Sequence, residues 1–363
     1  MKKITCFICS MGSGGAEHQM AELTSMLVQK GYAVDLVTFG NGDDHYPIDS
    51  CVRRIRIANA NNKFLKFLQI FWFFVTHPMD CVISFSQRAN LLALLPLLFR
   101  PKVKVIAGER NFTVSESDTI EKILFKYLYK RANFIVPNSY SQGEHICAKQ
   151  ATLADKVVTI INYTNTDQYT YTPPSAASVI RIGVFCRYDK QKNYERFAKV
   201  VKRLKESGGV MHIDWYGNIK DSNGNQNTDY LKFSSLVEQY GIADLIQLNN
   251  HIKNVKEIMP SYDVLCVPSL YEGWSNTISE GICCGRPMLV SDVSDNARMV
   301  IHQENGFLFD PTDENSMYEA FVELFATTVE DRIRMGEKSR ALACELFNAD
   351  KFVNDYIALI DGK

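Results

Sequence analysis

Residues 263–290 constrain the fold more than any other part of this chain. They read as an apolar strand, Asp263-Val-Leu-Cys-Val-Pro268, then a glycine-containing loop, a short helix stopped by Gly285-Arg-Pro287, and a second apolar run, Met288-Leu-Val290. Two strands joined through a helix run parallel, and parallel strands are covered on both faces, so this one unit calls for a layered α/β architecture. Comparable runs recur along the chain. Strands are predicted at 4–9, 33–39, 81–85, 103–107, 134–137 and 157–161, then at 179–185, 211–216 and 245–248, with segments between them long enough for crossover helices. The stretch Tyr169 to Ser178, which contains Pro173 and Pro174, breaks both periodicities. A chain of 363 residues also exceeds the roughly 250–300 that one core supports. Two doubly wound domains are therefore expected, 1–172 and 173–347, followed by a helix-like terminal segment, 348–363.

Composition excludes several classes. With 46% hydrophobic and 22% charged residues the chain is globular, and no basic stretch or motif points to nucleic acid. Residues 1–172 carry 19 Lys and Arg against 14 Asp and Glu, and residues 173–363 carry 21 against 27. The basic half suits an anionic membrane surface or a phosphate-bearing acceptor, although so small an excess also fits chance. Most of the ten cysteines lie in apolar runs and read as reduced core residues. Cys6-x-x-Cys9 has no second pair at zinc spacing, so no metal site is expected. Lys2-Lys3 and the apolar run after it mimic a leader peptide, but the run ends at Gly12-Ser-Gly-Gly15, and a first strand explains it better.

Three loops could carry chemistry. Amide groups at the start of the helix near Gly273, Trp274, Ser275 and Asn276 lack intrahelical partners and favour an anion. Glu272 sits in that loop and Glu280 on the helix it opens, so the two carboxylates can meet different parts of one ligand. Arg187 and Lys192 follow the strand at 179–185, at the carboxyl end where ligands of open α/β sheets bind. Two cations there suit a departing diphosphate. In Gly12-Ser-Gly-Gly-Ala-Glu17 a dinucleotide fingerprint would need glycine where Glu17 stands, so a redox cofactor is not expected. What remains is a turn at a helix start that either admits a phosphate or only connects strand to helix.

These motifs resemble those of the family 4 retaining glycosyltransferases. Glu272 and Glu280 are separated by seven residues as in that family's paired-glutamate signature; Gly14-Gly-Ala-Glu17, Arg187-Tyr-Asp-Lys-Gln-Lys-Asn193 and Asn305-Gly-Phe-Leu-Phe-Asp310 resemble its other elements. The resemblance implies a GT-B fold, two Rossmann-like domains facing across a cleft with the terminal helix packing back on the first. It further implies a metal-independent transfer of a hexose or N-acetylhexosamine from a UDP-sugar, with no cofactor, to a glycan or polyprenyl-diphosphate-linked acceptor at the inner face of the cell membrane. Glu272 would face the transferred sugar with Arg187 and Lys192 on the diphosphate, and Glu280 would hold the ribose. Gly14, Gly15 and Glu17 would face phosphate. Arg110 and Asn111 would line the acceptor or donor-sugar face, and the loop at His251 would read the base. The histidine of some relatives has no clear counterpart; His18 is the other candidate in the first half. A GT-B sugar-nucleotide epimerase and a non-catalytic sugar-nucleotide sensor remain as alternatives.

Two apolar segments, 64–75 and 91–99, with Arg100, Lys102 and Lys104 after the second, are too short to span a membrane. Aromatics with flanking cations suit a helix lying in the membrane interface, so peripheral contact through 64–75 and 91–104 is expected. A buried core helix explains 64–75 equally well.

Overall fold

The computed structural model describes residues 1–12, 14–40, 45–57, 62–110, 122–173, 179–221 and 224–362. The chain forms two compact units, Met1–Tyr163 with Asn348–Lys363, and Thr164–Phe347. In the first, β1 (Lys3–Ile8), β2 (Ala33–Thr38), β3 (Arg53–Arg56), β4 (Cys81–Phe85), β5 (Lys104–Glu109) and β6 (Phe134–Pro137) form a parallel sheet ordered β3-β2-β1-β4-β5-β6. In the second, β7 (Ile180–Phe185), β8 (Met211–Gly217), β9 (Ile246–Asn250), β10 (Val264–Val267), β11 (Met288–Ser291) and β12 (Gly306–Phe309) are ordered β12-β11-β10-β7-β8-β9, again all parallel. Each sheet thus winds outward from its first strand and then returns to the other side of it. The switch points lie between β1 and β4 and between β7 and β10, where the loops leaving the strand ends diverge and make room for a ligand.

The helices follow from the apolar spacing. They are α1 (Gly15–Gln29), α2 (Lys63–Thr76), α3 (Gln87–Leu97), α4 (Tyr140–Lys149), α5 (Tyr194–Glu206), α6 (Thr228–Gln239), α7 (Val255–Ile258), α8 (Asn276–Cys283), α9 (Glu314–Phe325), α10 (Val329–Leu346) and α11 (Ala349–Asp361). In α5, Tyr194, Phe197, Ala198, Val201 and Leu204 recur at three and four residues and are buried, joining Val184, Trp215 and Phe233 in the second core. Helix α8 lies unusually close to its sheet. A Cβ on Gly281 would stand 2.8 Å from Met288 Sδ and 2.9 Å from Leu265 Cδ1, so only glycine allows that approach.

Three expectations are corrected. The run 157–161 falls short of a full strand: it follows a tight helical turn at Ala151–Lys156, Val157 bridges to Ile135, and the amides of Val158 and Ile160 donate to the carbonyls of Ile135 and Pro137 at 3.0 and 3.2 Å without completing a ladder. Arg53–Arg56 and Gly306–Phe309 are edge strands that were not expected as such. The division falls at Tyr163/Thr164, earlier than residue 172, because the Arg340 guanidinium donates to the carbonyls of Thr166 at 2.9 Å, Tyr169 at 3.2 Å and Cys283, fastening this segment to the end of α8. Helix α11 belongs to the first unit. Lys104 Nζ donates to the carbonyls of Leu359 and Ile360 at 3.1 and 2.9 Å, and Phe352 stacks on Tyr163.

Candidate active site

The second unit gathers most of the expected residues at its switch point. After β7 the chain makes one tight turn, Lys190–Lys192, capped by Asp189, whose carboxylate accepts from Gln191 N–H at 2.9 Å. Asn193 ends the turn in the left-handed region, φ 57°, ψ 29°, a conformation asparagine tolerates better than most residues. The turn directs Lys192 to the loop after β10. There Lys192 Nζ lies 2.5 Å from Glu272 Oε1, and Ser269 Oγ donates to the same oxygen at 2.6 Å. Both partners of the ion pair are close to nine-tenths buried, with side-chain exposures of 12% and 11%. Ser294 Oγ fixes the Glu272 carbonyl at 2.6 Å, and Gln191 Nε2 fixes that of Tyr271 at 2.8 Å. Hydroxyl and amide groups therefore set the carboxylate from both sides.

Arg187 is exposed one residue beyond Cys186 and donates to Gln191 Oε1 at 3.4 Å. Burial pushes the Cys186 thiol up to about 12, while the charges of Lys192 and Arg187 oppose and that of Glu272 reinforces the rise. All three charged groups thus cluster around the end of β7. The first turn of α8 is tied to the same strand end, since Thr277 Oγ1 donates to the Phe185 carbonyl at 3.0 Å. No side chain caps this helix start, whose N-cap is Ser275. Amide groups at a helix start lack intrahelical partners and favour an anion.

Gly273 stands in this loop with no backbone need for glycine, and a Cβ there would meet nothing within 4 Å. The Trp274 side chain is buried. Its indole N–H donates to Ser279 Oγ at 3.0 Å and its ring packs edge-on against Phe347, so the side chain anchors the loop in the core. Glu280 is half-buried, away from the Lys192 pair, and is hydrogen-bonded to Tyr169. Burial pushes the Tyr169 phenol well up, and the Glu280 charge adds to this. The two glutamates thus stand in separate surroundings. His251 is exposed beyond the end of β9, where its amide donates to Asn250 Oδ1 at 2.9 Å.

In the first unit, α1 begins at Gly15 without a side-chain cap, Gly14 holds the N-cap position, and a Cβ on Gly14 would collide with the Glu17 carboxylate. Burial raises the Cys9 thiol, Arg88 and Lys66 lower it, and Glu17 raises it, which places these three charges around the end of β1. His18 is engaged along the helix, 3.5 Å from Glu22 and stacked on Tyr46. Arg110 is turned inward. Its guanidinium lies 3.8 Å from the centre of the Phe85 ring and donates to Asn162 Oδ1 at 3.2 Å and to the Tyr356 hydroxyl at 2.5 Å, so it braces α11 against the sheet. Asn111 lies outside the described residues. Ser269, Ser294, Gln191 and Tyr169 carry no motif of their own and were not foreseen; neither were Lys66 and Arg88.

Residues 179–342 match the family model described as Glycosyl transferases group 1. The second unit is therefore similar to the glycosyl transferases of that group. The chain is 24% identical, over all of both chains, to the Campylobacter jejuni N-acetylgalactosamine-N,N'-diacetylbacillosaminyl-diphospho-undecaprenol 4-alpha-N-acetylgalactosaminyltransferase. Among solved structures it superposes on a sucrose-phosphate synthase from Thermosynechococcus elongatus with TM-score 0.83 at 17% identity, covering 100% of this chain and 99% of that one. It superposes on Anabaena Alr3699/HepE, solved in complex with UDP and glucose, with TM-score 0.81 at 15% identity over the whole of both chains. The fold of the chain is GT-B.

Proposed function

We propose that this protein is a glycosyltransferase that moves an N-acetylhexosamine or hexose from a UDP-sugar to a glycan carried on a polyprenyl diphosphate, retaining the configuration at the anomeric carbon and using neither metal nor cofactor. The observation that carries the reading is the convergence of Lys192 and Ser269 on one oxygen of Glu272, beside the uncapped start of α8. The Campylobacter relative, whose name gives it a lipid-diphosphate acceptor, supports the acceptor class. The structure of HepE with UDP and glucose supports the donor class.

In this reading the diphosphate lies against the α8 amides, Arg187 and Lys192, which together offset the charge that grows as the bond from the anomeric carbon to phosphate oxygen breaks. Lys192 then exchanges its Glu272 partner for phosphate. Glu272, still held by Ser269, faces the sugar ring. The acceptor hydroxyl attacks from the side the diphosphate leaves, and its proton passes to the departing phosphate oxygen. Glu280 holds the ribose, and the loop at His251 meets the base. Gly14, Gly15 and Glu17 serve the acceptor phosphate. The protein works at the inner face of the cell membrane as a peripheral protein.

UDP release from a panel of UDP-sugars, with and without polyprenyl-diphosphate acceptors, tests the assignment, and release only with a lipid-linked acceptor is the expected result. Sugar inversion at another carbon without an acceptor would replace it with the epimerase. Transfer should persist in excess chelator, because two cations and a helix start already face the diphosphate; loss restored by manganese or magnesium would overturn metal independence.

Gly273→Ala offers a third check. The fold leaves room for a methyl group, so stability should change by no more than about 0.5 kcal/mol. The methyl would stand where the donor lies, and a misplacement of about 1 Å costs on the order of 10²-fold in turnover. Normal transfer by this variant would remove Gly273 from the site.

A further inference from the structure

Helix α2 is mostly apolar, with Lys63, Lys66, Gln69 and Thr76 as its polar positions, yet only Ile70 and Phe74 are buried. Its outward face presents Phe64, Leu65, Leu68 and Trp72 with relative exposures of 66%, 52%, 43% and 67%. Ile70 and Phe74 hold the helix to the core, and its ends are tied separately. Asn62 Oδ1 accepts from the amides of Phe64 and Leu65, and Arg100 donates to the carbonyls of Phe74 and His77 at 2.9 and 2.7 Å. The turn after α3 continues the same surface, because Phe99, 71% exposed, lies edge-on to Phe71 with ring centres 6.0 Å apart. Leu98 beside it is also exposed. The rest of the second apolar segment is core: Ala93, Leu94, Pro96 and Leu97 are buried. Of the cations after it, Arg100 closes α2 and Lys104 closes α11, so only Lys102 remains exposed and without a partner in the described structure. Lys63, also exposed, precedes Phe64 at the other end.

Soluble proteins rarely leave aromatic side chains clustered and uncovered in this way. Among the described residues no helix is long and apolar enough to cross a membrane. We propose that the outward face of α2, extended by Leu98 and Phe99, inserts into the interface of an anionic bilayer, with Lys63 and Lys102 on the headgroups. This rests on the proposed lipid-linked acceptor and names the surface through which the enzyme meets it. Charge selects a bilayer over a second copy of the chain: two such faces would bring lysines against lysines, whereas anionic headgroups complement them. Trp and Phe are suited to the depth involved, since their rings gain from leaving water without needing a full hydrocarbon environment.

Co-sedimentation of the full chain with vesicles of equal parts phosphatidylglycerol and phosphatidylcholine tests this without donor or acceptor. The chain should bind them and bind pure phosphatidylcholine more weakly. Leu68→Glu with Trp72→Glu should lower binding at least about 10-fold, the order expected for losing two large apolar anchors. Lys63→Gln and Lys102→Gln should each lower binding to the anionic vesicles about 5-fold. UDP release with a short-chain polyprenyl-diphosphate acceptor that dissolves without vesicles should stay unchanged in every variant, and this arm reports separately on the transferase reading. The proposal fails if the chain ignores anionic vesicles, if the glutamate variant binds as the parent does, or if sedimentation without vesicles shows a dimer that the glutamate variant dissolves.

Discussion

Lys192→Ala and Arg187→Ala are each expected to lower transfer turnover by roughly 10²–10³-fold, the size seen when one preorganised charge-stabilising donor is lost. Their side effects should differ. Arg187 is exposed and its hydrogen bond to Gln191 is long at 3.4 Å, so Arg187→Ala should melt like the parent protein. Lys192 is paired at 2.5 Å with a carboxylate that is about nine-tenths buried, and removing it leaves Glu272 with only Ser269 to offset its charge. That loss should cost about 1–3 kcal/mol, visible as a lower melting temperature. Adding Glu272→Gln to Lys192→Ala should recover part of the stability, because the stranded charge is gone, while turnover stays low. Thermal melts beside steady-state UDP release check all of this. If Arg187→Ala and Lys192→Ala were both folded and transferred sugar at near-parental rates, the proposed diphosphate site would be wrong.

What was legible in the sequence follows from what parallel sheets require. Inner strands are covered on both faces and so stand out as continuous apolar runs; β4, β7 and β10 are of this kind. The edge strand β3 is Arg53-Arg-Ile-Arg56, mostly exposed, and has no such signature. The opposite error arose at 157–161. That run lies under α4, where a Cβ on Gly143 would stand 2.8 Å from Thr159 Oγ1, and it follows β6 through the amides of Val158 and Ile160 without completing a ladder.

The candidate site divides in the same way. Glu272 and Lys192 could be foreseen because charged groups beside buried strand ends need partners or ligands. Ser269 and Ser294 could not, since serine is ordinary in loops and only the folded geometry aims these two at Glu272. Arg110 misled for a similar reason. A cation after a strand reads as a ligand group, but its partner Tyr356 comes from a helix 246 residues further on, a pairing that no local pattern announces.

The two glutamates should separate under the same substitution. Glu272→Gln keeps the shape and one acceptor oxygen for Ser269 Oγ, but it removes the charge that faces the sugar as positive character develops at the anomeric carbon. It should depress turnover by about 10²-fold or more and leave UDP affinity within a few-fold, because UDP lacks the transferred sugar that this carboxylate would face. Glu280 stands apart on α8, hydrogen-bonded to Tyr169, and its proposed contact with the ribose is made equally in the ground and transition states. Losing such a contact raises the Michaelis constant and weakens UDP binding without a matching fall in turnover. Tyr169→Phe should follow Glu280→Gln in kind and be milder, since the phenol orients the carboxylate without itself reaching the donor. Calorimetric titration with UDP, set beside steady-state kinetics, distinguishes the patterns. Loss of UDP affinity in Glu272→Gln with its retention in Glu280→Gln would exchange the two roles. No change in either would leave the pair structural, and the donor site would then have to lie away from the loop between β10 and α8.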